Sequence, residues 1–188
     1  DKVAGRSTEN EGIKEREIRI EKLENIRGMG VNPYQYSFSR THSISEVIEN
    51  SEKLVESEEE VAVAGRIMAI RGHGHTSFGD LKDGSGSMQF YIKDEVVSEH
   101  DFKLFRLMDI GDFTGIRGVV FKTRTGELTV KVSGLELLSK SILPLPEKYH
   151  GLQNKELRYR RRYLDLIVND EVREVFVMRP GIIDSMRE

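Results

Sequence analysis

Val61-Ala-Val-Ala-Gly-Arg-Ile-Met-Ala-Ile-Arg71, Thr76-Ser-Phe-Gly-Asp-Leu81 and Met88-Gln-Phe-Tyr-Ile92 decide how the rest of the chain is read. The first run is small and β-branched, as suits a twisted strand with a packed neighbour on each side. Gly72-His-Gly-His75 interrupts it, and Lys82-Asp-Gly-Ser-Gly-Ser87 is a turn signal between the second and third runs. Side chains alternate along a strand, so Met88, Phe90 and Ile92 share one face and Gln89 and Tyr91 the other. The first set is the natural core face. Gln89 then points outward, with Phe78 beside it on the paired strand. An outward ring next to an outward amide suits an unstacked base better than it suits bulk water.

Downstream, Glu95 to Met108 reads as a helix with Phe102, Phe105 and Met108 on one face. Gly111-Asp112 stops it. Phe113 to Thr123 and Glu127 to Leu138 form a hairpin about Arg124-Thr-Gly126, with Leu128, Val130 and Val132 inward. Three strands, a helix and two strands is the order of a five-stranded OB-fold barrel, whose central face and end loops bind oligonucleotides. The fold class expected is therefore mainly β, with a helix between strands 3 and 4. The same order also fits an SH3-like barrel or an α+β domain.

The flanks are helical. Asp1 to Gly12 is too polar to bury much and is expected to be disordered or an expression remnant. Ile13, Ile20, Leu23 and Ile26 recur at helical spacing up to Gly28-Met-Gly30. The cations Lys14, Arg16, Arg19, Lys22 and Arg27 alternate with glutamates on that helix. They read as a solvated face with intrahelical ion pairs or, alternatively, as contacts to a phosphate backbone. Val31 to His42 is extended, and Ser43 or Ser45 caps a short helix through Val55. Leu143-Pro-Leu-Pro146 is a stiff hinge. Gln153 to Val168 resumes a helix with Leu157, Leu164 and Ile167 as its stripe, and Asn169-Asp170 caps a last helix that Pro180 should kink or restart. The division expected is 1–60 N-terminal helical extension, 61–142 barrel, 143–168 helical linker and 169–188 the start of a further domain.

Several side chains suit chemistry at the barrel face. Phe78 offers a stacking platform, and Gln89 carries both donor and acceptor for a base edge. Glu127 can accept a hydrogen bond from a base imino group. Arg66, Arg71 and His73 lie toward the first loop, and Lys122 and Arg124 at the loop between the last two strands, where phosphates would pass. The alternative is that Phe78 is a core residue and Gln89 an ordinary surface amide. His73-Gly-His75 lacks a third ligand nearby, so no metal site is expected. Gly84-Ser-Gly86 belongs to no complete phosphate loop, and no acid/base pair or Ser/His/Asp triad emerges, so no catalytic residue is assigned.

Composition narrows the classes. Among 188 residues 32% are charged and the net charge is −3, so nucleic-acid binding must use local patches. Cysteine is absent, which excludes disulfides and thiolate chemistry. No apolar run reaches bilayer length and no signal-peptide core precedes the first helix, so no membrane association and a cytoplasmic location are expected. The chain starts without Met and stops inside a helical pattern, which reads as a fragment.

Two blocks carry a family resemblance. Pro144-Leu-Pro-Glu-Lys-Tyr-His-Gly-Leu152, then Arg158-Tyr-Arg-Arg-Arg-Tyr-Leu-Asp-Leu166 and Asn169-Asp-Glu171, resemble the linker of class II, bacterial-type lysyl-tRNA synthetases. Val61-Ala-Val-Ala-Gly-Arg66, Ser77-Phe78, Gln89 and Phe121-Lys-Thr-Arg-Thr-Gly-Glu127 resemble that family's anticodon-binding OB domain. The resemblance implies that Phe78 stacks on the central anticodon uridine while Gln89 and Glu127 read it, with Arg66 and Arg71 as neighbours. It implies tRNA-Lys as partner and a homodimer for the full-length enzyme. It also implies ATP and Mg²⁺ for lysine activation and ligation, with the catalytic motifs beyond Glu188 and this stretch inactive alone. Met178-Arg-Pro-Gly181 and the His73 loop depart from the family pattern. Other readings are an aspartyl- or asparaginyl-tRNA synthetase domain, and a free-standing single-strand-binding module without an enzyme.

Overall fold

The computed structural model describes residues 2–72, 74–146 and 155–187. His73, Glu147 to Leu152 of the linker block, and the start of the helix expected from Gln153 lie outside the described residues. The chain divides into two compact units, 1–144 and 145–188.

In the first unit, α1 (Lys2–Gly28), α2 (Ile44–Glu49) and α3 (Ser51–Ser57) precede five strands. These are β1 (Glu60–Arg71), β2 (Thr76–Lys82), β3 (Ser87–Lys93), β4 (Phe113–Lys122) and β5 (Leu128–Ser139), with α4 (Glu99–Leu107) between β3 and β4. The strands close into a barrel in the order β1-β2-β3-β5-β4, as the strand and helix order implied. Strand β1 serves two neighbours. Glu60 to Arg66 pairs with β4 and Arg66 to Arg71 with β2, and a bulge between Ile67 and Ala69 bends the strand from one to the other. Closure needs glycine at tight approaches. A Cβ on Gly118 would lie 2.0 Å from the Lys131 carbonyl oxygen, where the β4–β5 register shifts.

The interior follows the alternation. Met88, Phe90, Ile92, Val130 and Val132 are buried with Val61, Val63, Ile67 and Leu81. Phe105 and Met108 join them from the α4 end, while Phe102 is only partly buried. Helix α4 starts later than Glu95 because the Ser98 hydroxyl accepts from the Asp101 N–H and caps it there. The helix expected from Ser43 to Val55 is broken at Asn50, whose side-chain amide donates to the Glu46 carbonyl and competes with the helical ladder. Ser43 begins α2 with a capping box to Glu46.

Helix α1 departs from expectation at both levels. It runs back to Lys2 through Gly5, Ser7, Thr8, Asn10 and Gly12, which are poor helix formers; extending a helix already nucleated at 13–28 avoids the cost of starting one. Its cations are not all solvated. Arg19 is buried and donates to the carbonyls of Ile110 and Ser141 at 3.1 and 3.3 Å, besides pairing with Glu15 on its own helix. Lys22 pairs with Asp109 at the end of the barrel. Lys140 joins the same group, donating to Asp109 at 2.6 Å and Asp112 at 2.7 Å, with the side chains of Lys140 and Asp112 inaccessible to solvent. A buried ionic clamp therefore fastens α1 to the barrel.

Burial pushes the Asp109 carboxyl up, but hydrogen bonds from Lys140 and Lys22 outweigh it and hold the group below the ordinary aspartate range. The unfolded chain, with an ordinary aspartate pKa of about 4, then binds more protons than the native state in acid. The contribution is present above that value and is lost as pH falls through the folded one. Urea midpoints at pH 6 and pH 3 should accordingly drop for the native protein by more than for Asp109→Asn. Equal drops would show that Asp109 adds nothing to the acid limb.

The second unit contains α5 (Lys155–Arg160), α6 (Arg162–Val168) and α7 (Asp170–Ser185). The continuous helix expected here is interrupted at Arg161, whose backbone is not helical. Among its described residues the best buried is polar: Asp165 is inaccessible, while Leu157 is exposed. Asp165 accepts from Arg158 at 3.0 Å, from Asn169 at 2.6 Å and from Arg162. Burial raises its pKa, and these donors more than reverse the effect. Asn169 thus serves Asp165 and makes no side-chain cap on α7. Pro180 lies inside α7 without restarting it.

Candidate nucleic-acid interface

The outer face of β2 and β3 forms the floor of an open cleft of about 840 Å³. Phe78 and Tyr91 are register partners across these strands, with ring centroids 4.8 Å apart and tilted by 44°. Phe121, near the end of β4, meets Tyr91 edge-on at 6.3 Å. Phe78 is half-buried on this outer face, so the reading of it as a core residue does not hold.

Gln89 lies on the same face as Tyr91 but is buried, at 8% exposure, beneath the cleft. Thr129 Oγ1 donates to Gln89 Oε1 at 2.9 Å, and Gln89 Nε2 donates to Glu127 Oε2 at 3.0 Å. An ionised carboxylate only accepts, so the amide nitrogen must face Glu127 and the oxygen Thr129. That leaves Gln89 a second N–H, and Glu127 further lone pairs, for a ligand. The β4–β5 turn holds Glu127 in place. The Glu127 N–H donates to Thr123 Oγ1 at 3.0 Å, the Thr123 N–H donates to the Glu127 carbonyl at 2.9 Å, and Gly126 takes the left-handed conformation the turn requires, at φ +85°.

Phe78, Gln89, Arg71, Arg124 and Glu127 all line this cleft. Arg71 also makes a bidentate pair with Asp80 at 2.8 and 2.9 Å, which orients its guanidinium. Arg66 is not brought to the cleft. It donates to the Gly111 carbonyl at 2.8 Å and stacks over Phe113 at 4.2 Å. Lys122 follows Phe121 on the strand, is exposed and does not line the cleft. The imidazole of His75 is bonded to Asp94, and that bond is the main reason the Asp94 pKa is lowered. Among the described residues no group of three His, Cys, Asp or Glu side chains could hold a metal ion, and no helix is long and apolar enough to cross a membrane.

Reading the sequence set Tyr91 on the Gln89 face without giving it a role, and it missed Phe121 in the cleft and Thr129 beneath it. For Tyr91 the signal was present, since it alternates in phase with Gln89. Phe121 reaches the cleft, and Thr129 lies buried beside Gln89, because β5 pairs in parallel with β3 and β4 lies beyond it.

A closed five-stranded barrel with three rings and a tethered amide–carboxylate pair on one face belongs to a class that binds single-stranded nucleic acid. Residues 61–138 match the tRNA anticodon family of OB-fold nucleic acid binding domains. The chain is similar to bacterial lysine–tRNA ligases over about nine-tenths of its length. It is 51% identical over 171 residues to the lysine–tRNA ligase of Carboxydothermus hydrogenoformans, covering 91% of the chain and 35% of the relative. It is 47% identical over 175 residues to that of Halalkalibacterium halodurans, covering 90% and 35% respectively. It is 49% identical over 170 residues to that of Moorella thermoacetica, covering 90% and 34%. The chain thus spans about a third of the length of the curated relatives it matches.

Proposed function

We propose that this chain is the anticodon-reading portion of a lysine–tRNA ligase, and that the cleft takes a splayed-out uridine. The observation that carries the reading is the bonded pair Gln89–Glu127 set beside Phe78 and Tyr91. Uracil presents a carbonyl acceptor beside an imino donor. The spare N–H of Gln89 donates to the carbonyl, and the Glu127 carboxylate accepts from the imino N–H. Cytosine presents an unprotonated ring nitrogen there, so acceptor faces acceptor and a buried partner is left unmatched, at about 1–3 kcal/mol. Stacking on the rings supplies affinity whatever the base. Arg71, Arg124 and Lys122 serve passing phosphates, with His73 assigned to the same role. Arg66 braces the barrel end.

In the parent enzyme this binding selects the tRNA-Lys onto which lysine is esterified, by a cytoplasmic homodimer. That reaction uses ATP and Mg²⁺, and among the described residues no group of three His, Cys, Asp or Glu side chains could hold the metal. The hinge at Pro144–Pro146 would join the reading unit to the remainder. Fluorescence titration of this chain with a lysine tRNA and with a tRNA carrying cytidine at the central anticodon position tests the proposal. Tighter binding of lysine tRNA is expected, and equal affinities would reject uridine reading.

A further inference from the structure

We infer that Thr129 is a positioning residue that sets the base specificity of the cleft by locking the orientation of the Gln89 amide; the inference rests on the uridine reading above. Thr129 is wholly buried, and its hydroxyl has one proton to give. Gln89 Oε1 lies at 2.9 Å and the Glu127 carbonyl at 3.3 Å, so the shorter bond goes to the amide oxygen. The side-chain amide of glutamine is nearly symmetric in shape, and only its partners decide which end faces a ligand. In the empty cleft Glu127 fixes that choice as well, by accepting from Nε2.

A base bound at Glu127 draws on the same carboxylate that accepts from Nε2, so the amide then depends on both of its partners. Thr129 is then the partner that keeps Oε1 inward and the N–H outward. Without the hydroxyl, the amide can reverse and present its oxygen to the cleft. A reversed amide opposes the uracil carbonyl with an oxygen and accepts from the exocyclic amine of cytosine, so the preference for uridine narrows even though the Glu127 carboxylate still opposes the cytosine ring nitrogen. Stacking is untouched, because Thr129 contributes nothing to the ring face.

Valine has the shape of threonine and suits a strand, so Thr129→Val removes the hydroxyl with little change in volume. Binding is measured with two RNA anticodon stem-loops that differ only in uridine or cytidine at the read position. The unaltered chain should favour uridine by about tenfold or more, as unmatched buried groups imply. In Thr129→Val the ratio should fall to within about threefold, with cytidine binding gained, and Thr129→Ser should restore it, since the hydroxyl alone decides the orientation. A valine variant that keeps the full ratio overturns the inference and leaves the uridine reading standing. An unaltered chain without preference overturns that reading itself. Should Thr129→Val not fold, Thr129→Ala carries the same comparison, and an alanine variant that retains the ratio is equally decisive against the inference.

Discussion

Replacing Phe78 by alanine is expected to weaken binding of a uridine-bearing anticodon stem-loop by about five- to a hundredfold, the range that loss of one base–aromatic stack implies. The ring is half-buried on the outer face of β2, beside Tyr91 at 4.8 Å, so its loss removes a ligand platform and leaves the interior intact. Thermal stability should change little. The uridine-to-cytidine ratio should also persist, because Gln89, Thr129 and Glu127 stay bonded to one another. Titration by fluorescence anisotropy reads all of this. Unchanged affinity in a folded variant would remove stacking from the account, and a collapse in stability would return Phe78 to the core.

Removing the buried cation at Lys140 is expected to have the largest effect on stability. Lys140→Met leaves Asp112, which is inaccessible, beside Asp109 with no ammonium group between them. Breaking one side of a buried ion pair costs about 3–5 kcal/mol, far more than an exposed pair is worth. The Asp109 and Ser141 N–H groups still donate to Asp112, at 2.8 and 2.7 Å, which sets the cost toward the lower end. Adding Asp112→Asn to Lys140→Met should recover much of the loss, since no uncompensated charge then remains at that position. Urea unfolding of the three proteins tests the point. A single variant as stable as the unaltered chain would mean that the clamp holds α1 without contributing to stability.

Much of the barrel was legible in one dimension. The two-residue alternation of Met88, Phe90 and Ile92 against Gln89 and Tyr91 needs only the strand pleat to assign faces. The order of strands and helix needs only turn signals such as Lys82 to Ser87 and Arg124 to Gly126. The helix boundaries were less legible, because Asn50, Ser98 and Arg161 act through local hydrogen bonds or backbone angles that propensity does not encode. The arginine-rich helix after the hinge looked like a charged face over an apolar stripe. Its organising residue is instead Asp165, chosen by the geometry of Arg158, Arg162 and Asn169 around it.

Sequence by itself determined the face on which Phe78, Gln89 and Tyr91 stand, since side-chain direction along a strand is a local property. It also carried the resemblance to lysyl-tRNA synthetases, through the blocks 144–152 and 158–166. Tertiary structure decided which partners meet. Thr129 and Glu127 lie 40 and 38 positions from Gln89, Lys140 lies 31 from Asp109, and Arg19 lies 91 from Ile110. Such pairings come from strand closure and helix docking. They govern hydrogen-bond direction and buried charge, which depend on distances across the fold rather than on spacing along the chain.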